Sequence, residues 1–208
     1  MSKKLFLVLG PESSGNHVTS LVLKNMGCFW DEPQELDRFL LGEIKLSQVT
    51  SNSNIVLRRS VPHGRDWPVA SDISKRFAEE GYEMSTIVLQ REWMATILSN
   101  YYHRSTNVQE AWDTLVKGEK HISNQMFNGD LDPFYILNTS ALMKDPEAVI
   151  IGLEIFTGLE WPKDVRYEKA VHDSDIGRHN LLLDTGFESI DRSIHQKYIK
   201  RIRPLVIR

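Results

Sequence analysis

Cysteine is almost absent. Cys28 is the only one in 208 residues, which excludes a disulfide framework within one chain and most cysteine-based metal sites. No charge of one sign dominates either. The 25 Lys+Arg against 28 Asp+Glu leave a formal net charge of −3, so nothing points to a nucleic-acid coat or a membrane-surface protein. An anionic ligand must then be drawn in by a local cluster. Long apolar runs are also missing. Leu5 to Leu9, after Met1-Ser2-Lys3-Lys4, is too short for a signal peptide or a membrane span. The expectation is a soluble, cytoplasmic protein with no nucleic-acid or membrane partner. There is no repeat, low-complexity tract or long linker. With 41% hydrophobic residues the chain can bury a core, so residues 1–208 read as a single domain.

What is present alternates between two periods. Lys4 to Leu9 is a near-continuous apolar run closed by Gly10, the pattern of a strand buried on both faces. Gly15 to Met26 places Val18, Leu21, Val22 and Met26 at helical spacing, and Gly27 is a stop signal. The same reading predicts strands over Asn54–Leu57, Ser85–Leu89 and Phe134–Leu137. It predicts helices over Pro68–Glu80, Glu92–His103, Val108–Phe127 and Pro146–Phe156, with Gly118 a weak point in the third of these. Asp145-Pro146-Glu147 reads as a helix start, with the aspartate as cap. Alternating strands and helices imply an α/β fold with a mostly parallel central sheet covered on both sides, a three-layer sandwich. Ligands in such sheets bind beyond the carboxyl ends of the strands. Those ends direct attention to Gly10–His17, Arg58–Arg65, Gln90–Trp93 and Asn138–Ser140.

Gly10-Pro11-Glu12-Ser13-Ser14-Gly15-Asn16-His17 follows a strand and opens a helix. In that context backbone N–H groups and a helix N-terminus are presented to an anion. The spacing from Gly10 to Gly15 is that of the ATP-binding phosphate loop, but Asn16 stands where that motif has lysine, and His17 where it has the Ser/Thr magnesium ligand. The predicted strands run into Arg58, Gln90 and Asn138 rather than an aspartate. Lysine and magnesium neutralise the outer phosphates in nucleoside-triphosphate chemistry. Their missing ligands argue against it.

Ile87-Val88-Leu89-Gln90-Arg91, followed by Ser99-Asn100-Tyr101-Tyr102-His103, resembles the signature of the PAPS-dependent sulfotransferases, where PAPS is 3′-phosphoadenosine 5′-phosphosulfate. In that family a strand-end arginine and a serine eight residues later grip the 3′-phosphate, and Arg91 and Ser99 have that spacing. An arginine fork and a hydroxyl suit a phosphate. Ser14-Gly15-Asn16 resembles the family's Ser-Gly-Thr loop, with Ser13 in place of its basic residue. Asp145-Pro146-Glu147 with Phe156, Gly158 and Leu159 resembles its Asp-Pro-Glu and Phe-x-Gly-Leu segment, and Asp175-Ile176-Gly177-Arg178 its late basic loop. The resemblance runs from about Leu5 to Arg178. It implies a P-loop-type sulfotransferase fold and PAPS as cofactor, with adenosine 3′,5′-bisphosphate as product and no metal. It also implies cofactor contacts from Ser13, Ser14, Gly15, Asn16, His17, Arg91, Ser99 and Arg178. Taken singly, Arg91 reads equally as a solvated strand-end charge and Ser99 as an ordinary helix residue.

Soluble members of that family use a histidine shortly after the second of these strands as base. Aligned on Pro62, that position here is Ser60, and His63 follows three residues on. His63 is the first candidate, since an imidazole titrates near neutral pH. Glu32, after the phosphate-loop helix, is the second, because other branches use a glutamate there. Arg58, Arg59 and Arg65 are expected to gather positive charge beside His63. The leading reading is sulfuryl transfer to a hydroxyl or amine of a small-molecule, glycan or peptide acceptor. Its alternatives are a non-catalytic nucleotide-binding or interaction module on the same fold, and a divergent P-loop kinase.

Overall fold

Strand β1 (Lys3–Pro11) is the middle of a five-stranded sheet, paired in parallel with β3 (Asn54–Val61) on one side and β4 (Tyr82–Gln90) on the other. The short β2 (Phe29–Trp30) extends the sheet beyond β3, and β5 (Phe134–Asn138) extends it beyond β4, both in parallel. The structure, a computed structural model, describes residues 3–30, 35–103 and 107–163.

The central position explains the sequence of β1. Leu5, Phe6, Leu7, Val8 and Leu9 are all at most 1% exposed because helices cover both faces. Side chains alternate across the sheet. Leu5, Leu7 and Leu9 meet Leu36 and Phe39 of α2 (Glu35–Leu40), Ile73 and Phe77 of α3 (Ala70–Ala78), and Ile122 of α5 (Val108–Phe127). Phe6 and Val8 meet Val22 and Leu23 of α1 (Asn16–Asn25), Leu142 of α6 (Thr139–Lys144) and Leu153 of α7 (Pro146–Thr157). Each such buried side chain contributes roughly 1.5–3 kcal/mol. The result is the expected three-layer α/β sandwich. Helix α4 (Trp93–His103) packs on α5 through Ile97, Ala111 and Leu115.

Two expectations change. The second predicted strand runs on to Val61, so Arg58 and Arg59 lie inside β3 and not in a loop after it. The extension follows from β1, which reaches Pro11 and offers ladder partners as far as Val61. Gly118 is no weak point either. Helix α5 is continuous there and passes so close to β3 that an added Cβ would stand 2.8 Å from the Val61 carbonyl oxygen. Among the described residues no helix is long and apolar enough to cross a membrane.

The chain moves from β1 to β2 and β3 on one side, then crosses to β4 and β5 on the other. Beyond the end of β1 there is thus a crevice between diverging connections, where open α/β sheets bind ligands. The segment that leaves β1 at that point is Gly10–Asn16.

Candidate functional site

Residues at the end of β1 fold into a tight loop because two of them adopt left-handed backbone, Ser13 at φ 65° and Gly15 at φ 103°. The Ser14 N–H donates to the Pro11 carbonyl across 3.1 Å. Gly10 has no room for a side chain, since a Cβ there would lie 2.8 Å from that of Leu89 and collide with the Ser14 hydroxyl. Gly15 is the N-cap of α1, no side chain caps that end, and the first turn holds no acidic residue. Its amide groups and dipole are left for an anion.

Asn16, in the lysine's place, is turned inward. Its Nδ2 donates to the Pro11 carbonyl at 3.1 Å and to Ser14 Oγ at 3.3 Å, and the residue is buried. It braces the loop from within and offers an anion only its backbone. Two further contacts hold the loop from outside. Arg91 Nη1 donates to the Ser13 carbonyl at 2.6 Å. Thr139 Oγ1, at the start of α6, lies 2.7 Å from the Ser14 carbonyl oxygen and 3.1 Å from that of Gln90. Two loop carbonyls that would repel a phosphate are thereby engaged. Buried Glu12 is the opposing feature, a carboxylate within the loop itself.

The two arginines of β3 part company because neighbouring strand residues face opposite sides. Arg58 turns to α1, where its Nη1 lies 3.3 Å from His17 Nδ1. The guanidinium can only donate, so His17 accepts at Nδ1 and carries its proton on Nε2. His17 also meets Trp30 edge-on, with ring centroids 5.2 Å apart. Arg59 turns to α2 and pairs with Asp37. It is only 5% exposed, and burial lowers its pKa against the pull of Asp37.

His63 stands beyond the end of β3 on the Arg59 side. Its Nδ1 lies 3.4 Å from Ser60 Oγ, and its Nε2 lies 3.9 Å from Asp37 Oδ2. The turn that holds it is closed by paired backbone bonds, His63 N–H to the Asp66 carbonyl at 2.8 Å and Asp66 N–H back at 3.1 Å. Partial burial lowers the His63 pKa below its ordinary 6.5, and Arg59 and Arg58 add to this more than Asp37 and Asp66 oppose it. The imidazole is thus neutral at neutral pH, with a lone pair available. A cleft of about 730 Å³ opens beside it between α2 and α3.

No family model and no curated protein sequence matches the chain. Among solved structures it is similar to the sulfotransferase domain from the Synechococcus PCC 7002 olefin synthase. The TM-score is 0.50 at 16% identity, over 99% of this chain and 90% of that one. The fold is sulfotransferase-like. At this identity the likeness speaks for architecture, and the chemistry must be argued from the residues.

The sulfotransferase-like frame gathers Ser13, Ser14, Gly15, Asn16 and His17 at one loop and brings Arg91 against it. Ser99 is on α4 and 7% exposed. His63 comes next to Ser60, the position where the resemblance places the base. Of the three arginines expected beside His63, Arg59 and Arg58 act on its charge, though each also has a partner of its own. Arg58 belongs to the His17 side, Arg59 is spent on Asp37, and Arg65 is exposed. Glu32 and Arg178 lie outside the described residues. Asp37 went unnoticed in the sequence because it belongs to no motif, and Thr139, though within the inspected Asn138–Ser140, gave no sign of its contact with a loop 125 residues away. Among the described residues no group of three or more His, Cys, Asp or Glu side chains is placed to hold a metal ion.

Proposed function

We propose that this chain is a divergent PAPS-dependent sulfotransferase that moves a sulfuryl group to a hydroxyl or amine acceptor. The observation that carries the proposal is the Arg91–Ser13 contact. It brings the arginine of the strand-end signature onto a lysine-free phosphate loop whose helix N-terminus has no side-chain cap.

The residues present fit the cofactor by charge and shape. Backbone amides of Ser13, Gly15, Asn16 and His17, at the start of α1, suit the 5′-phosphosulfate. Gly10 and Gly15 allow the close turn this needs. Arg91 and Ser99 are assigned to the 3′-phosphate, together with Arg178 from the sequence. When bound, PAPS supplies the activated sulfur and a bisphosphate leaving group.

His63 is assigned as base. The carboxylate of Asp37 favours the proton on Nε2, which leaves Nδ1, beside Ser60, as acceptor. The acceptor's oxygen or nitrogen lone pair forms the bond to sulfur. The bond from sulfur to the 5′-phosphate oxygen breaks, its electrons leave with adenosine 3′,5′-bisphosphate, and the acceptor's proton passes to His63 Nδ1. Such base catalysis is worth about 10²–10⁴-fold. Glu32 is the second candidate for the role.

Calorimetric titration tests the reading. Adenosine 3′,5′-bisphosphate should bind much more tightly than ATP with magnesium, and equal affinity would favour a kinase. The inward-turned Asn16 and buried Glu12 favour one other reading, a nucleotide-binding module without turnover. Tight bisphosphate binding with no sulfation across a broad acceptor panel would select it.

A further inference from the structure

The cleft beside His63 is lined unevenly, and its lining speaks for the acceptor. Its apolar wall comes from Leu40 of α2 with Val69 and Ile73 at the start of α3. At about 730 Å³ it has the size of a small-molecule site and not of an extended glycan groove. Most of its cations are already used. Arg59 is paired with Asp37, and Arg76 is paired with Glu79 at 2.6 Å while lying 4.4 Å over the Phe39 ring.

Two carboxylates are not so compensated. Among the described residues neither Asp66 nor Asp72 takes part in an ion pair, and both are exposed. Asp66 is in the same closed turn as His63, so it stands beside the candidate base. Asp72 is in the first turn of α3, next to Ile73 of the apolar wall. The remaining cation, Lys75, is exposed one turn further along α3. An occupant that reaches His63 therefore meets an apolar wall and then negative charge.

We infer that this cleft is the acceptor subsite, and that it takes a small amphipathic molecule with a hydroxyl at one end and a protonated amine at the other. The inference rests on the sulfuryl-transfer reading for the hydroxyl's fate, but the amine preference is a property of the cleft alone. The hydroxyl meets His63, the apolar body lies against Leu40, Val69 and Ile73, and the ammonium group at the far end is held by Asp72, with Asp66 adding negative charge to the cleft. An anionic acceptor is disfavoured by the same two carboxylates.

Three phenols of similar size separate the possibilities, namely tyramine, 4-ethylphenol and 3-(4-hydroxyphenyl)propionate. Each is titrated calorimetrically into the protein held with adenosine 3′,5′-bisphosphate, and each is assayed for sulfation with PAPS. Tyramine should bind about three- to tenfold more tightly than 4-ethylphenol, as expected for partly exposed charge pairs, and the propionate most weakly. Asp72→Asn should erode the tyramine advantage, and Asp66→Asn should erode it less, both leaving 4-ethylphenol and bisphosphate binding unchanged. Equal affinity for tyramine and 4-ethylphenol, preference for the propionate, or an equal loss for all three in the variants would overturn the inference. If the amine preference and its dependence on Asp72 hold in calorimetry while no phenol is sulfated, the cleft's amine preference stands and the sulfuryl-transfer reading falls.

Discussion

Arg91 Nη1 donates to the carbonyl of Ser13 across 2.6 Å, joining two residues 78 positions apart in the chain. Ser13 holds a positive φ that costs a non-glycine residue free energy, and the guanidinium fastens the peptide that carries it. The same guanidinium is the one assigned to the 3′-phosphate. Loop shape and ligand charge thus depend on one side chain, with separable consequences.

Arg91→Ala should lose a charge-assisted phosphate contact and weaken adenosine 3′,5′-bisphosphate binding by about 2–4 kcal/mol. Adenosine 5′-phosphate, which lacks the 3′-phosphate, should lose clearly less, its share reflecting only the loosened loop. Calorimetry with both ligands measures the difference. Equal losses would reduce Arg91 to a brace for Ser13.

The sheet and its long helices were legible because their signals are local. The apolar run of β1 and the helical spacing in α5 hold whatever surrounds them, and α5 occupies the predicted Val108–Phe127. The two-residue β2 and six-residue α2 and α6 are too short for a period to show. Arg58 and Arg59 looked like the end of a strand because charge rarely continues a buried one. Arg59 does continue it, and only because Asp37 on α2 supplies the counter-charge. The loop after β1 was visible as spacing. That Asn16 turns inward, and that Thr139 holds the loop from 125 residues away, are tertiary facts with no local trace.

Gly15→Ala tests the loop's geometry. A left-handed backbone strains any L side chain, and the new Cβ would stand 2.7 Å from Thr139 Cγ2. Together these should cost about 2–4 kcal/mol in chemical denaturation. Thr139→Ser removes that methyl and keeps the hydroxyl, so the double variant should recover the steric share and leave the backbone share. Simple additivity of the two substitutions would mean that the crowding is relieved elsewhere.

Cys28 should be inert in the native protein. It is 4% exposed among the residues under α1, and burial pushes its thiol pKa up to about 12. Thiolate is the reacting form, so an aromatic disulfide reagent at pH 8 should label it only as fast as the fold opens. Labelling should accelerate with denaturant in step with loss of structure. Rapid stoichiometric labelling in buffer would show that β2 and the start of the sheet part readily from α1.

The pH behaviour of His63 gives the sharpest test of the chemistry. Burial first, then Arg59, lowers its pKa from 6.5, so the base form already prevails at neutral pH. Turnover should therefore rise with pH only below about 6.5 and be flat across neutrality, rather than rising through it. Stability should follow the same group. Between the lowered folded pKa and 6.5 the unfolded chain binds a proton that the folded chain does not, so stability increases with pH across that window and is lost as pH falls through it. His63→Ala should retain bisphosphate binding, lose about 10²–10⁴-fold in turnover, and abolish both the kinetic limb and its share of the stability slope. A glutamate base would behave differently, with a limb in the carboxylate range and Glu32→Gln as the damaging change. Normal turnover in His63→Ala, with the limb unmoved, would take the base away from His63. A stability slope that disappears while turnover persists would leave the imidazole a packed, neutral side chain whose burial, and not its chemistry, explains its lowered pKa.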